Sequence, residues 1–278
     1  MEAEKKAFLE QKAKEIRKLV IKTIGELGQG HVGGCLSAVD VATVLYYDEM
    51  NVDPKNPKME GRDRIVLSKG HAGPTFYSIL AEKGFFPMDW LKTLNKPGTN
   101  LPSHCDMNRT PGVDMTAGSL GQGFSCAVGI AKAAKICGGK EYIYSIVGDG
   151  ESQEGIIWEA SMAAAQYKLD NFIAFLDYNK LQIDGTVDEV MSLIDPVKKW
   201  ESFGFKVFRC DGHDVEAISD AIKAAKKEKD GKPAMIVLDT VKGKGVRFVE
   251  EIGPGNHSMP LSAEDIEKAL AEIDGEAK

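Results

Sequence analysis

The sequence predicts an α/β fold in which a mostly parallel sheet carries helices on both faces, as one domain over residues 1–278. Two observations carry this expectation. From Tyr142 onward, short apolar runs alternate with stretches of helical periodicity, the order that builds parallel sheets through crossover connections. The runs themselves, such as Ile143-Tyr144-Ser145-Ile146-Val147 and Ala234-Met235-Ile236-Val237-Leu238, are nearly continuous in apolar character, as expected of strands covered on both sides.

Taken in order, the first element is a helix. Leu9, Ile16, Leu19, Val20, Ile24 and Leu27 recur at helical spacing and stop at the glycine-rich stretch 28–34, so the helix runs into a loop. A second helix begins after Ser37 and covers 39–47, and Pro54 and Pro57 mark the passage to a short strand over 64–67 that ends at Ser68-Lys69-Gly70-His71. Residues 87–116 are rich in Pro, Gly, Asn, Ser and Thr and read as a long ordered excursion, a kind of segment that often carries function. Gly118-Ser119-Leu120-Gly121-Gln122-Gly123 then opens a small-residue helix reaching about Ile136. Beyond it follow strand 142–147, helix 155–167, strand 172–176, helix 196–203, strand 206–209, helix 215–226 and strand 234–239. Ser262 caps a final helix, and a polar tail occupies 274–278.

Composition narrows the possibilities. With 43% hydrophobic residues the chain can bury a substantial core, and a net charge of −7 argues against a nucleic-acid-binding surface, which leans on clustered Lys and Arg. Small anions remain possible ligands, because a helix N-terminus or a metal overrides global charge locally. The five cysteines are scattered without a C-x-x-C pair, which suggests neither a disulfide framework nor a zinc knuckle and fits a reducing, cytoplasmic setting. The charged amphipathic start lacks the apolar centre of a signal peptide, and no apolar run has membrane-spanning length.

The informative segments are two strand ends. Val147-Gly148-Asp149-Gly150-Glu151 closes one buried strand and Leu176-Asp177-Tyr178-Asn179 closes the next. Asp149 and Asn179 are 30 residues apart (179 − 149), about one βαβ unit, so both emerge at the carboxyl edge of one sheet. A carboxylate, an amide oxygen and a nearby carbonyl are hard donors, too few for a closed calcium cage and suited to magnesium, with a diphosphate and water completing the shell. Gly148 and Gly150 allow a sharp bend that brings N–H groups against phosphate, and the helix from Gly155 points its positive end the same way. Gly-Asp-Gly alone is a common turn; the pair on adjacent strand ends is the specific signal.

Gly148-Asp149-Gly150 followed by Asn179 resembles the thiamine diphosphate motif of thiamine-dependent enzymes, with Tyr178 where a second Asn is frequent. Gly30-His31-Val32-Gly33-Gly34, Ser68-Lys69-Gly70-His71, the 118–123 run and the segment from Asp177 to Gly185 resemble transketolase segments, in transketolase order, over nearly the whole chain. The resemblance implies the diphosphate-binding domain of the thiamine diphosphate fold. It implies that Asp149, Asn179 and the Leu181 carbonyl hold Mg2+, for which Ca2+ or Mn2+ could substitute. It places His71, Gly118, Ser119, Leu120, Gly148, Gly150, Asn179 and His257 along thiamine diphosphate, although Ser119 stands where full-length transketolases commonly have Pro. It sets His31, His71, His104 and His257 around the entrance to the reactive carbon, where near-neutral imidazoles can move protons and hold sugar hydroxyls. Glu154 matches a Glu at the family's subunit contact, though a helix N-terminal acid stabilised by the dipole is an equal reading. The remaining histidine, His213, is expected to be a solvated or capping side chain with Asp214 as N-cap, and Lys242-Gly243-Lys244-Gly245 a solvated basic turn in preference to a loop that approaches phosphate.

In this family the acid and the apolar cradle that serve the aminopyrimidine ring belong to a second domain of similar size, for which the residues after His257 leave no room. The expected partner is therefore a C-terminal transketolase subunit, two copies of each chain forming a heterotetramer. The assembly would move a two-carbon ketol unit from a ketose phosphate to an aldose phosphate. The other readings are a half-subunit resembling a deoxyxylulose-phosphate synthase, a dihydroxyacetone synthase or a 2-oxoacid dehydrogenase alpha chain, and a non-catalytic assembly module. The paired histidine loops at His31 and His71 favour transketolase over the dehydrogenase.

Overall fold

In a computed structural model of the chain, which describes residues 1–227 and 230–276, five strands form one parallel sheet. They are β1 (Arg64–Leu67), β2 (Ile143–Gly148), β3 (Phe172–Tyr178), β4 (Lys206–Asp211) and β5 (Ala234–Asp239), in the spatial order β1-β2-β3-β5-β4. Gly148 pairs in register with Asp177 and Tyr178 with Asp239, so the carboxyl ends of the three central strands finish at one edge. Of the polar tail read from the sequence, Ala277 and Lys278 lie outside the described residues.

Alternation along each strand divides the core into two layers, because successive side chains leave a strand on opposite faces. Tyr144, Ile146, Ile173, Phe175, Ile236 and Leu238 meet helices α1 (Ala3–Gly25), α2 (Val39–Val44), α3 (Gly73–Lys83) and α7 (Val215–Lys227). Ile143, Val147, Ala174, Leu176, Met235 and Val237 meet α4 (Gln122–Ile136), α5 (Gly155–Gln166) and α6 (Pro196–Ser202). The expected two-sided α/β architecture is the one observed. Helix α1 buries Leu9, Ala13, Ile16, Val20 and Ile24, a stripe spaced by three or four residues, and each Leu or Ile there contributes about 1.5–3 kcal/mol by leaving water. A final helix, α8 (Ala263–Asp274), starts at Ser262, whose hydroxyl accepts from the Asp265 N–H in a capping box.

Three local differences from the sequence reading have a common cause. Helix α3 shows no amphipathic stripe because it is buried from Gly73 to Ala81, and a helix apolar all round gives no periodic signal. Within the expected glycine loop, Val32–Leu36 is a buried helical turn, and a Cβ on Gly33 would come within 2.4 Å of Asn256 Oδ1. The helix expected over 39–47 changes at Leu45 to a wider π-type turn that runs to Glu49. In each case tertiary packing sets the backbone where local pattern is silent.

The 87–116 excursion opens with 3₁₀ turns over Met88–Thr93 and is otherwise irregular, yet it is tied down. Tyr77 donates its hydroxyl to the Pro102 carbonyl at 2.8 Å and the Ala117 N–H reaches the Cys105 carbonyl at 3.1 Å, which fixes His104 between them. A two-residue ribbon pairs Gln29–Gly30 antiparallel with Met259–Pro260, bringing His31 beside His257. All five cysteines are free, and among the described residues no helix is long and apolar enough to cross a membrane.

Candidate active site

At the carboxyl edge of β2 and β3 the chain lines a cavity of about 250 Å³ with Asp149, Asn179 and Leu181, the three residues expected to hold a metal. Asp149 is 2% exposed, and among the described residues its carboxylate oxygens accept from two backbone N–H groups, Gly150 at 2.7 Å and Lys180 at 2.5 Å. Burial, reinforced by the neighbouring Asp177, pushes its pKa up to about 7. Asn179 directs its amide nitrogen to Asp177 Oδ2 at 3.2 Å and accepts the Leu181 N–H at 3.1 Å. Among the described residues no group of three or more His, Cys, Asp or Glu is placed to hold a metal, so an ion here would depend on one carboxylate and neutral oxygens.

Asp177 lies behind the cavity, fully buried, in a role that no sequence signal announces. It accepts from Ser37 Oγ at 2.6 Å, from Thr240 and from Asn179, and forms an ion pair with the buried Lys69. Burial acts to raise its pKa, but the charge of Lys69 outweighs it and the carboxyl is held below its usual value. Glu151 is a second buried carboxylate that the motifs leave unassigned. It accepts the Gly121 N–H at 2.8 Å, the Gly148 N–H at 3.0 Å and the Ser68 hydroxyl, joining the loops after β1 and β2 to the start of α4.

Lys242 overturns an expectation. Instead of a solvated basic turn it is a buried side chain, 3% exposed, that lines the cavity. Its Nζ donates to the Leu181 carbonyl at 3.1 Å and lies 3.3 Å from His257 Nδ1. Burial, then the charge of Lys69, lowers its pKa to about 8. Lys-Gly-Lys-Gly carries no periodic pattern, so nothing local announces that the loop turns inward.

The four histidines set apart from His213 converge. Ring centroids of His31 lie 5.3 Å from His71, 6.0 Å from His104 and 5.2 Å from His257, and His71 and His257 are 5.0 Å apart. Burial lowers the pKa of each: His71 falls well below its usual value with Lys69 adding to the effect, and His257 falls to about 4 with Lys242 adding to it. At neutral pH these rings are uncharged, able to accept on one nitrogen and donate on the other.

Of the other expected cofactor residues, Leu120, Gly148 and Gly150 line the cavity, as does the exposed Glu154. Gly118 and Ser119 are exposed and lie outside its wall, with Gly118 beside His104. The chain turns at Asp149 and Gly150 directly after β2, but neither Gly148 nor Gly150 has a positive φ, so the turn does not need glycine for its backbone angles. Gly150 is needed for closeness instead, since a Cβ there would sit 3.2 Å from Gln182 Cβ. Left-handed residues at the site are Gly121, φ 81°, at the start of α4, and Lys180, φ 65°, between Asn179 and Leu181. His213 is not solvated either: it bonds to Asp40 and to the Val241 N–H, while Asp214 caps α7 as expected by accepting from the Glu216 N–H at 2.9 Å.

Comparison with known proteins adds to this geometry. Residues 9–275 match the family described as transketolase, thiamine diphosphate binding domain. The chain is 52% identical over 274 residues to a 6-deoxy-6-sulfo-D-fructose transketolase subunit of Clostridium sp. (strain MSTE9), covering 99% of both. It is 42% identical over 270 residues to one of the subunits of an apulose-4-phosphate transketolase of Actinobacillus succinogenes, covering 96% of both. A Pichia stipitis transketolase solved in complex with sedoheptulose-7-phosphate superposes with a TM-score of 0.90 at 33% identity, the match taking in 96% of this chain and 40% of that one. The chain thus spans about two fifths of the solved chain it resembles.

Proposed function

The chain belongs to the transketolase family, as its amino-terminal, thiamine diphosphate-binding part, and from that premise we propose that it is one subunit of a two-chain ketol transferase dependent on thiamine diphosphate and Mg2+. One observation carries the reading. A buried carboxylate without a cation, Asp149, and a buried ammonium without a carboxylate, Lys242, face one cavity, and among the described residues neither forms an ion pair with the other or with anything else. Isolated charges of both signs are expensive to bury, and a metal–diphosphate complex satisfies both. Asp149, the Asn179 amide oxygen and the Leu181 carbonyl would hold Mg2+, and Lys242 would meet the phosphate oxygens. Bound thiamine diphosphate would supply the carbon nucleophile that takes up a two-carbon unit.

The histidines define what this chain does for the substrate. His31, His71, His104 and His257 form an uncharged, hydrogen-bonding rim beside the cavity, suited to orient a sugar carbonyl and hydroxyls and to take a proton on one ring nitrogen while giving one up from the other. Their placement favours ketol transfer over a purely structural module. The cavity is smaller than the roughly 300–1,000 Å³ of complete small-molecule sites, which supports its completion by a second chain. That partner is a C-terminal transketolase subunit carrying the pyrimidine-binding half, with the heterotetramer as the expected assembly and the exposed Glu154 at the subunit contact. The named relatives act on a sulfonated ketose and on a ketose phosphate, so the donor is proposed to be a ketose with a terminal anionic group, sulfonate or phosphate.

The test is calorimetric titration of the purified chain with thiamine diphosphate, with and without Mg2+, followed by ketol-transfer assays with and without the partner, using 6-deoxy-6-sulfofructose and ketose phosphates as donors. Metal-dependent binding lost in Asp149→Ala, and turnover only with the partner, are expected. Robust turnover by the single chain would refute the division of labour.

A further inference from the structure

Lys242 enters the cavity on the loop 241–245 after β5, and both ends of that loop are tied to one buried carboxylate outside the cavity. At the first end the Val241 N–H donates to His213 Nε2 at 2.8 Å, while His213 Nδ1 lies 2.7 Å from Asp40 Oδ2. A ring nitrogen that accepts carries no proton, so the proton sits on Nδ1 and points at the carboxylate. At the second end the Lys244 carbonyl accepts from Arg17 Nε at 3.2 Å, and the same guanidinium forms an ion pair with Asp40 Oδ2. Asp40 belongs to α2, Arg17 to α1 and His213 to the connection between β4 and α7, so three separate elements converge on one loop.

These side chains are 4%, 11% and 9% exposed respectively. Burial acts to raise the Asp40 pKa, but the charge of Arg17 and the bond from His213 prevail and hold it below its usual value. A buried polar group keeps its partner or bears the full desolvation penalty, so a displaced loop would strand an acceptor on His213 and a donor on Arg17. The arrangement selects the loop position that sets Lys242 Nζ beside the Leu181 carbonyl. None of the three residues lines that cavity; they border a separate pocket of about 270 Å³.

We propose that Asp40, with His213 and Arg17 as its two arms, clamps loop 241–245, and that His213 is thereby a positioning residue for anion binding at Lys242. The inference rests on the reading that the cavity takes a diphosphate, and its test separates the two.

In the ligand-free chain, His213→Ala speeds hydrogen exchange of the 241–245 amides while the amides of α1 and α7 keep their protection. Titrated with Mg2+ and inorganic pyrophosphate, His213→Ala binds about tenfold more weakly, the lower end of what residues behind a ligand shell typically contribute. Added imidazole, which the adjoining pocket gives room to enter, restores binding. His213→Ala combined with Lys242→Met binds no more weakly than Lys242→Met alone, because the two act through one contact. Unchanged exchange at 241–245, or additive losses in the double variant, overturns the clamp. If His213→Ala does not fold, Arg17→Lys, which keeps the charge at Asp40 and gives up the Nε donor, must show the same exchange and the same non-additivity. A parent chain that ignores pyrophosphate but shows the faster exchange in His213→Ala would sink the diphosphate reading and leave the clamp standing.

Discussion

Asn179 is held by Asp177: its amide nitrogen lies 3.2 Å from a carboxylate oxygen that can only accept, so the amide cannot flip and its oxygen is left on the side of the cavity. Asp177 is in turn neutralised by Lys69, with Ser37 and Thr240 filling its remaining lone pairs. Asp177→Asn should lower stability by about 3–5 kcal/mol, the range for stranding one partner of a buried pair. Pairing it with Lys69→Met should recover most of that stability in urea denaturation. Mg2+ affinity should stay weakened in the double variant, since an amide at position 177 can donate as well as accept and no longer forces the orientation of the Asn179 amide. Full recovery of Mg2+ binding would show that Asp177 serves stability alone.

Asp149 makes the ligand-free protein sensitive to pH in a calculable direction. Its folded pKa of about 7 lies above the ordinary 3.8, so between those values the native chain binds the extra proton and stability falls as pH rises through the window. That displacement corresponds to roughly 4 kcal/mol. Asp149→Asn should flatten this slope, leave the ligand-free chain more stable than the parent at pH 8, and abolish the stabilisation that Mg2+ with thiamine diphosphate gives the parent. Guanidinium midpoints at pH 5 and pH 8 decide it; parallel pH slopes in parent and variant would refute the assignment.

Most of the sheet and the two strand tips that face the cavity are legible in the sequence because they rest on short-range pattern. Continuous apolar runs mark β2, β3 and β5, and a thirty-residue spacing puts Asp149 and Asn179 on adjacent ends. The convergence of His31, His71, His104 and His257 is legible only through family resemblance, since no local rule joins residues brought together by the Gln29–Gly30 ribbon and an irregular excursion. The inward placement of Lys242, Asp177, Glu151 and His213 escapes a sequence reading for a related reason. Polar and charged residues in loops and at strand ends are solvated by default, and only long-range packing turns these four inward.

Glu151 ties the ends of β1 and β2 to the start of α4 with one carboxylate, and among the described residues it has no cation in contact, so its worth lies in the N–H groups that it satisfies. Burial acts to raise its pKa against those bonds. Glu151→Ala would leave the Gly121 and Gly148 N–H groups without their acceptor, for an expected loss of about 2–4 kcal/mol, whereas Glu151→Gln keeps one acceptor and should lose about half as much. Thermal unfolding of both variants, with Ser68→Ala as a milder control, measures this. Equal melting of Glu151→Ala and parent would mean that water replaces the brace.

The alkaline side of the pH dependence of cofactor binding should be set by Lys242. Burial places His257 near pH 4 and lowers the other three below the usual imidazole value, so all four lose their charge on the acid side of where a free imidazole does. Lys242 titrates near 8, and loss of its proton removes the positive charge that faces the phosphate, so affinity for Mg2+ with thiamine diphosphate should decline as pH rises through about 8. Bound anion strengthens the protonated form and moves this limb upward, as linkage requires. Lys242→Met should bind more weakly at pH 7 and lose the alkaline decline, whereas His257→Ala should keep it. A calorimetric series from pH 6 to pH 9.5 distinguishes these outcomes, because an alkaline limb that persists in Lys242→Met would assign the titration to another group.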